Sequence, residues 1–248
     1  MAHYYGYIPD SPDARDHLLK VAAPAVALPA KVDLRTSGKL PPVYDQGQLG
    51  SCVANASCAA LQYDEAVAGE NPVMRSRLEV YYYARQLEHT VTQDSGCMIR
   101  DAFKAMSKHG VAPETDWPYD INTFTHLPHI PPKDNQKLTS YSRVAQASTD
   151  MKSLLSQNIP IVVGFQVYAS FESQAVANSG VVPMPDTTTE KLMGGHAVLV
   201  VGYDDSKSQW IVRNSWGSGW GDQGYFYMPY DYFLNASLSN DFWVATKY

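Results

Sequence analysis

Gln46-Gly47-Gln48-Leu49-Gly50-Ser51-Cys52 is a loop of small and polar residues that runs straight into a cysteine. Val53-Ala54-Asn55-Ala56-Ser57-Cys58-Ala59-Ala60-Leu61-Gln62-Tyr63 follows without a break and reads as a helix, because Ala, Leu and Gln are strong helix formers. Ser51 stands where an N-cap is expected. The thiol of Cys52 is thereby placed in a first helical turn, where open backbone N–H groups and the positive end of the helix dipole favour a thiolate. A reactive cysteine further needs a base, a group that orients the base, and donors for an oxyanion.

The chain of 248 residues is 45% hydrophobic with a net charge of −6, which suits a sizeable globular core. No basic patch with interleaved aromatics occurs, so nucleic acid is not an expected partner. No apolar run is long enough to cross a membrane as a helix, and no membrane partner is expected. Met1-Ala2-His3-Tyr4-Tyr5-Gly6 lacks the basic start and apolar core of a signal peptide, and the compartment is left open. Three cysteines make no disulfide framework, although Cys58 and Cys97 can pair if Cys52 stays free. No Cys or His pair has zinc-like spacing, and His126 and His129 in their Pro-rich segment read as solvated. No metal or cofactor is expected.

Residues 1–28 are turn-rich and read as an irregular, flexible arm. From Leu28-Pro29-Ala30-Lys31-Val32-Asp33-Leu34-Arg35 the chain becomes extended. Helices are predicted from Cys52 to about Gly69, from Ser76 to Leu87, and from Ile99 to His109 with Gly110 as its stop. Leu127 to Pro132 is a candidate crossing between lobes. Beyond it, Met151–Gln157 reads as a short helix, while Ile159–Val167, Gly195–Asp204, Gln209–Asn214 and Tyr225–Met228 read as strands. A helical first half and a β-rich second half argue an α+β fold with two segregated lobes.

Two of these strands flank the turn Asp204-Asp205-Ser206-Lys207-Ser208. Centring a hairpin on Ser206 sets residue 214 opposite residue 198, with His196 as its diagonal neighbour on the same face. His196 and Asn214 can therefore meet. An imidazole is a natural base for a thiol, and the Asn214 oxygen can hold the ring by its N–H. Trp216 can cover that bond. Gln46 and the Cys52 backbone N–H supply two oxyanion donors. Taking a thiol from a pKa of ~8.5 to ~4 corresponds to about 6 kcal/mol, more than the ~1 kcal/mol of a helix dipole, so the larger share falls to a protonated His196.

Gln46…Gly50-Ser51-Cys52, then Gly195-His196-Ala197-Val198, then Asn214-Ser215-Trp216-Gly217-Ser218-Gly219-Trp220-Gly221-Asp222-Gln223-Gly224-Tyr225 together resemble a papain-like cysteine peptidase over about Leu28 to Tyr248. Such a resemblance implies a two-lobed fold. A helical lobe would span about 43–125, and a β-rich, barrel-like lobe about 133–248 plus 29–42, with the active site in the cleft between. It implies Cys52 as nucleophile, His196 as base and then acid, Asn214 as orienter and Gln46 as oxyanion donor. By the same likeness Gly96, Gly195, Trp216 and Asp241 would bind substrate. Asp241 or its neighbour Asn240 would stand at the base of a specificity pocket, where an acid would favour a basic side chain, although a solvated loop position is the plainer reading.

The departures from the family pattern are local. Val53 stands where an aromatic is usual, and Leu49 where the family has a disulfide-forming cysteine. Of the usual Gly-Gly wall only Gly96 is present. Asp94…Gly96…Arg100-Asp101-Ala102 resembles a bacterial branch, in which the arm 1–28 would replace a long helical propeptide and act as an inhibitory pro-segment of a zymogen. The expected partner is a peptide or protein substrate, met by a monomer. The alternatives are a catalytically silent binding module, or a transferase or amidase using the same residues.

Overall fold

The computed structural model describes residues 4–22, 27–128 and 135–246. His129 and the rest of the predicted crossing segment, to Pro132, lie outside these. In chain order the elements are β1 (Tyr7–Ile8), β2 (Lys31–Asp33), α1 (Cys52–Val67), α2 (Arg77–Leu87), β3 (Cys97–Met98) and α3 (Ile99–His109). There follow β4 (Ser140–Arg143), α4 (Ser148–Ser156), β5 (Ile161–Tyr168), α5 (Gln174–Ser179), β6 (Leu192–Asp204), β7 (Gln209–Arg213), β8 (Tyr225–Pro229), α6 (Tyr230–Leu234) and β9 (Ser239–Thr246).

Helix α1 is buried on every side from Cys52 to Tyr63, as a helix of Ala, Cys, Leu and Val must be when it is wedged between other elements. Its Glu65 is fully buried and lies 2.8 Å from the Arg75 guanidinium, which also donates to the Val111 carbonyl. Helix α2 is capped by Ser76, whose Oγ accepts the Glu79 N–H at 3.1 Å, while the Glu79 carboxylate accepts the Ala112 N–H at 2.6 Å. Helix α3 stops at Gly110, whose φ of +79° suits glycine, as predicted.

The second half forms an antiparallel sheet in the order β4-β9-β5-β6-β7-β8, with β2 pairing the far end of β6. The sheet is open, so the barrel-like closure expected from the resemblance is not formed among the described residues. Both edge strands are short, and each is met by an irregular segment instead: Leu18 bridges Arg143 on β4, and Val181 bridges Tyr227 on β8.

The β6–β7 hairpin reaches the predicted pairing by a different path. Asp204 pairs Gln209 and Tyr203 pairs Trp210, so the turn is centred half a residue later than Ser206. A bulge between Val200 and Gly202 then removes the offset, and Leu199 faces Arg213. The bulge is where β2 packs closest. A Cβ on Gly202 would lie 2.3 Å from the Val32 carbonyl oxygen. Gly202→Ala is expected to cost about 1–3 kcal/mol of unfolding free energy, measured by urea denaturation, because the obstacle is backbone and cannot rotate away.

Candidate active site

Cys52 begins α1 and is fully buried. Ser51 precedes it, but its hydroxyl does not cap the helix; it is shared with Tyr119 and accepts the Asn55 side-chain N–H at 3.1 Å. Burial pushes the Cys52 thiol up to about 11, against the opposing pull of N–H groups from Ala197, Gly6, Val53 and Cys52 itself. The helix-start donors foreseen from sequence are thus in place. In this state, desolvation outweighs them and the sulfur is held as a thiol.

His196 lies on β6 and Asn214 directly after β7, with His196 Nε2 2.8 Å from Asn214 Oδ1. The Ser215 N–H also donates to that oxygen at 2.8 Å, which fixes the amide orientation and assigns the proton to Nε2. The proton on Nε2 leaves Nδ1 as the acceptor nitrogen of the ring. Trp216 stacks on the imidazole with centroids 4.9 Å apart and the planes 25° apart, covering the bond as expected. Trp220 packs edge-on against Trp216, and also against Phe171 and Phe226, beneath the glycine-rich loop.

Gln46 is fully buried and held at both ends of its amide. Ser215 Oγ donates to its Oε1 at 2.7 Å, turning Nε2 outward. Nε2 then donates to the Leu49 and Tyr4 carbonyls, both at 2.9 Å. The loop carrying Gln46 and Cys52 has no disulfide, since all three cysteines are free and the Cys58–Cys97 pairing is not made. Its brace is a carboxylate: Asp94 accepts the Gly50 N–H at 3.0 Å and the Tyr81 hydroxyl, and Tyr81 in turn accepts the Gly96 N–H at 3.0 Å.

The arm, expected to be irregular and flexible from its composition and an inhibitory pro-segment from the resemblance, lies ordered in the cleft. Tyr4 places its carbonyl on Gln46, and a Gly6 N–H faces the Cys52 sulfur. Strand β1 runs parallel to β3, and the Gly6 carbonyl accepts the Cys97 N–H at 2.8 Å. Gly96 and Gly195, both expected to bind substrate, are where the arm backbone comes closest: a Cβ on either would sit 2.2 Å or 2.5 Å from an arm carbonyl oxygen. The Tyr7 ring lies flat over Gly164 and its hydroxyl donates to Asp241 Oδ2 at 2.6 Å.

Asp241 is not a solvated loop residue. It sits at a bulge of β9 with φ +59°, an orientation that aims its carboxylate inward beside Tyr7. Nor is its charge unmatched, because Arg143 donates to Oδ1 at 2.8 Å. The Asn240 side chain donates to the Ala236 carbonyl. Asp10 of the arm joins the same group: its buried carboxylate accepts from Arg143 at 3.0 Å and from Trp243 Nε1 at 2.8 Å. Asp16 adds a 3.2 Å contact to Arg100.

Sequence reading missed Tyr5, Tyr7, Asp94, Glu172, Arg143 and Ser215. The signal for the arm was Tyr4-Tyr5-Gly6-Tyr7, more aromatic surface than a solvated terminus uses. Asp94 stood in the sequence only as part of the likeness to a bacterial branch, and its bracing role carried no signal, because that role arises from a loop meeting a loop. Among the described residues no cluster of His, Cys, Asp and Glu forms a metal site. His126 is exposed; its ring meets the neighbouring Thr125 hydroxyl and its backbone N–H donates to the Thr123 carbonyl.

The model of the papain family cysteine proteases matches residues 28–243. Xylellain, a cysteine protease from Xylella fastidiosa, is 43% identical with a TM-score of 0.86, covering 98% of this chain and 96% of that one. An uncharacterised peptidase C1-like protein of Acanthamoeba polyphaga mimivirus is 38% identical over 98% of this chain and 86% of its own length. Cysteine proteinase 2 of Entamoeba histolytica is 32% identical; the match takes in 82% of this chain but 64% of that protein, just under two thirds. A digestive procathepsin L 3 of Tenebrio molitor shares the fold with a TM-score of 0.75 at 22% identity, covering 94% of this chain and 75% of that one.

Replacing Asp94 by Ala is expected to cost about 1–2 kcal/mol in thermal unfolding, because the Gly50 N–H and Tyr81 hydroxyl lose a charged acceptor. An unchanged melting temperature would show that the loop is held by other contacts.

Proposed function

Because the chain belongs to the papain family of cysteine proteases, we propose that it is an endopeptidase working through Cys52, His196, Asn214 and Gln46. The observation that carries this reading is the linked set: a thiol at a helix start, an imidazole held by Asn214 at 2.8 Å, and a Gln46 amide turned outward by Ser215. His196 takes the thiol proton, and the Cys52 sulfur attacks the peptide carbonyl. Gln46 Nε2 and the Cys52 N–H receive the oxyanion. His196 then protonates the departing amine, the C–N bond breaks, and water releases the acyl group from sulfur. Asn214 keeps the ring in one tautomer throughout.

The same reading makes the arm an internal inhibitor. Its Tyr4 carbonyl occupies Gln46 and its Gly6 backbone covers the thiol, so a substrate carbonyl has no place to bind. The leaving amine must lie beside His196, so a substrate runs from the Gly96 and Gly164 side towards His196 and Trp216. The arm runs the other way, from Tyr5 beside His196 to Tyr7 over Gly164, and so is held as an inhibitor with reversed chain polarity. With Arg143 already on Asp241, the pocket under Tyr7 suits a neutral hydrogen-bond donor better than a cation.

Gly6→Ala tests the arm without deleting it, since the new Cβ would lie 1.7 Å from the Gly50 carbonyl oxygen. It is expected to raise hydrolysis of a small fluorogenic peptide at least tenfold. An epoxide or vinyl-sulfone probe is expected to modify Cys52 in this form, and adding Cys52→Ala to abolish both labelling and turnover. Turnover that survives Cys52→Ala would overturn the mechanism. Labelling without peptide turnover would favour a silent module, and preferential acyl transfer to amines a transferase.

The pH dependence has a defined sign. Burial, followed by the nearby Asp241 charge, raises the Asp10 carboxyl to about 6 in the docked arm. A group whose pKa is raised on docking favours the docked state in its protonated form. That contribution is complete below the ordinary carboxylate pKa and is lost as pH rises through about 6. Acid is therefore expected to tighten the arm. The activity ratio of Gly6→Ala to the unaltered chain should rise about tenfold between pH 6.5 and 4.5.

A further inference from the structure

Tyr5 fills a slot on one side of Cys52 that the catalytic reading does not use. Its ring stands edge-on to His196, with centroids 6.0 Å apart, and to Trp216 at 6.2 Å. The root of the side chain rests on Gly194, where a Cβ would lie 3.0 Å from Tyr5 Cβ and Cδ2. At the far end the hydroxyl donates to Glu172 Oε1. Glu172 closes the short 3-10 turn Ala169–Glu172, and the preceding Phe171 is buried against Trp216 and Trp220 at 5.6 Å from each. The carboxylate is thus presented from an anchored turn.

We propose that Glu172 is a specificity-determining residue that selects a tyrosine side chain at the substrate position directly after the scissile bond. The proposal rests on the peptidase reading above. His196 must hand a proton to the leaving amine, so the residue bearing that amine packs against His196 and Trp216, which is the slot Tyr5 fills. The arm enters with reversed polarity and stands in for the side chain, not for the backbone. The walls are aromatic and glycine, which fit a flat ring. The end of the slot is an acceptor, which a phenol satisfies and a phenyl ring leaves unpaired.

The test is partition of the acyl-enzyme in the full chain. A fluorogenic peptidyl-coumarin acylates Cys52, and tyrosinamide, phenylalaninamide or argininamide competes with water. On capture the amine nitrogen forms the new C–N bond, the C–S bond to Cys52 breaks, and the amine proton passes through His196 to the thiolate. The ratio of peptidyl amide to peptidyl acid, read by mass spectrometry, comes only from enzyme already acylated and so does not depend on how often the arm is displaced. Tyrosinamide is expected to be captured about tenfold better than phenylalaninamide. Glu172→Ala should bring the two within twofold, and Glu172→Gln should keep part of the preference through its amide oxygen. Equal capture by the unaltered chain, an unchanged preference in Glu172→Ala, or argininamide exceeding tyrosinamide would overturn the assignment. Failure to release coumarin in any form, including Gly6→Ala, would overturn the peptidase reading itself and this assignment with it.

Discussion

The hydrogen bond from His196 to Asn214 depends on one register, and the rest of the site depends on that bond. A slip of one residue along β6–β7 would turn every side chain of the strand to the other face and take His196 away from both α1 and Asn214. The bulge at Val201, held open where Val32 packs over Gly202, is what keeps the pairing in phase. Ser215 then serves both partners. Its N–H fixes the Asn214 oxygen, and its hydroxyl fixes the Gln46 amide. Asn214 and Gln46 come from distant parts of the chain, yet one residue orients both amides.

The opposing constraint is the buried thiol. Removing Cys52 from water favours its neutral form, and the helix start and its N–H groups do not overcome this while the arm is docked. Arm and site are thereby coupled through desolvation as well as through occupancy. The arm is anchored by groups of different kinds: backbone pairing with β3, two tyrosines that each end on a carboxylate, and Asp10 and Asp16 on Arg143 and Arg100. Arg143 matters beyond the arm, because it offsets the charge of Asp241 in the pocket that Tyr7 occupies.

Much of this was legible in the chain. Helix α3 was read to its ends, and His196 and Asn214 were paired from turn length alone, although the true path includes a bulge that cancels an off-centre turn. Periodicity and hairpin geometry act over short distances, so the sequence displays them directly. The arm was foreseen as an inhibitory segment but its ordered path was not, because its turn-rich composition shows only the absence of helix and strand. Its order comes from surfaces some distance away in the chain, Gly96, Gly164 and Asp241, that no local pattern reveals. The same limit hid Asp94, which braces a loop from which the expected cysteine is missing, and the inward turn of Asp241 at its bulge.

The most direct measurement is the pH profile of Cys52 alkylation by iodoacetamide, followed by intact-mass analysis in the full chain and in Gly6→Ala. If the arm desolvates a thiol that His196 otherwise ionises, the unaltered chain reacts slowly at neutral pH and gains rate towards pH 11, whereas Gly6→Ala already reacts rapidly below neutrality. Coincident profiles for the two proteins would contradict the coupling between arm and nucleophile.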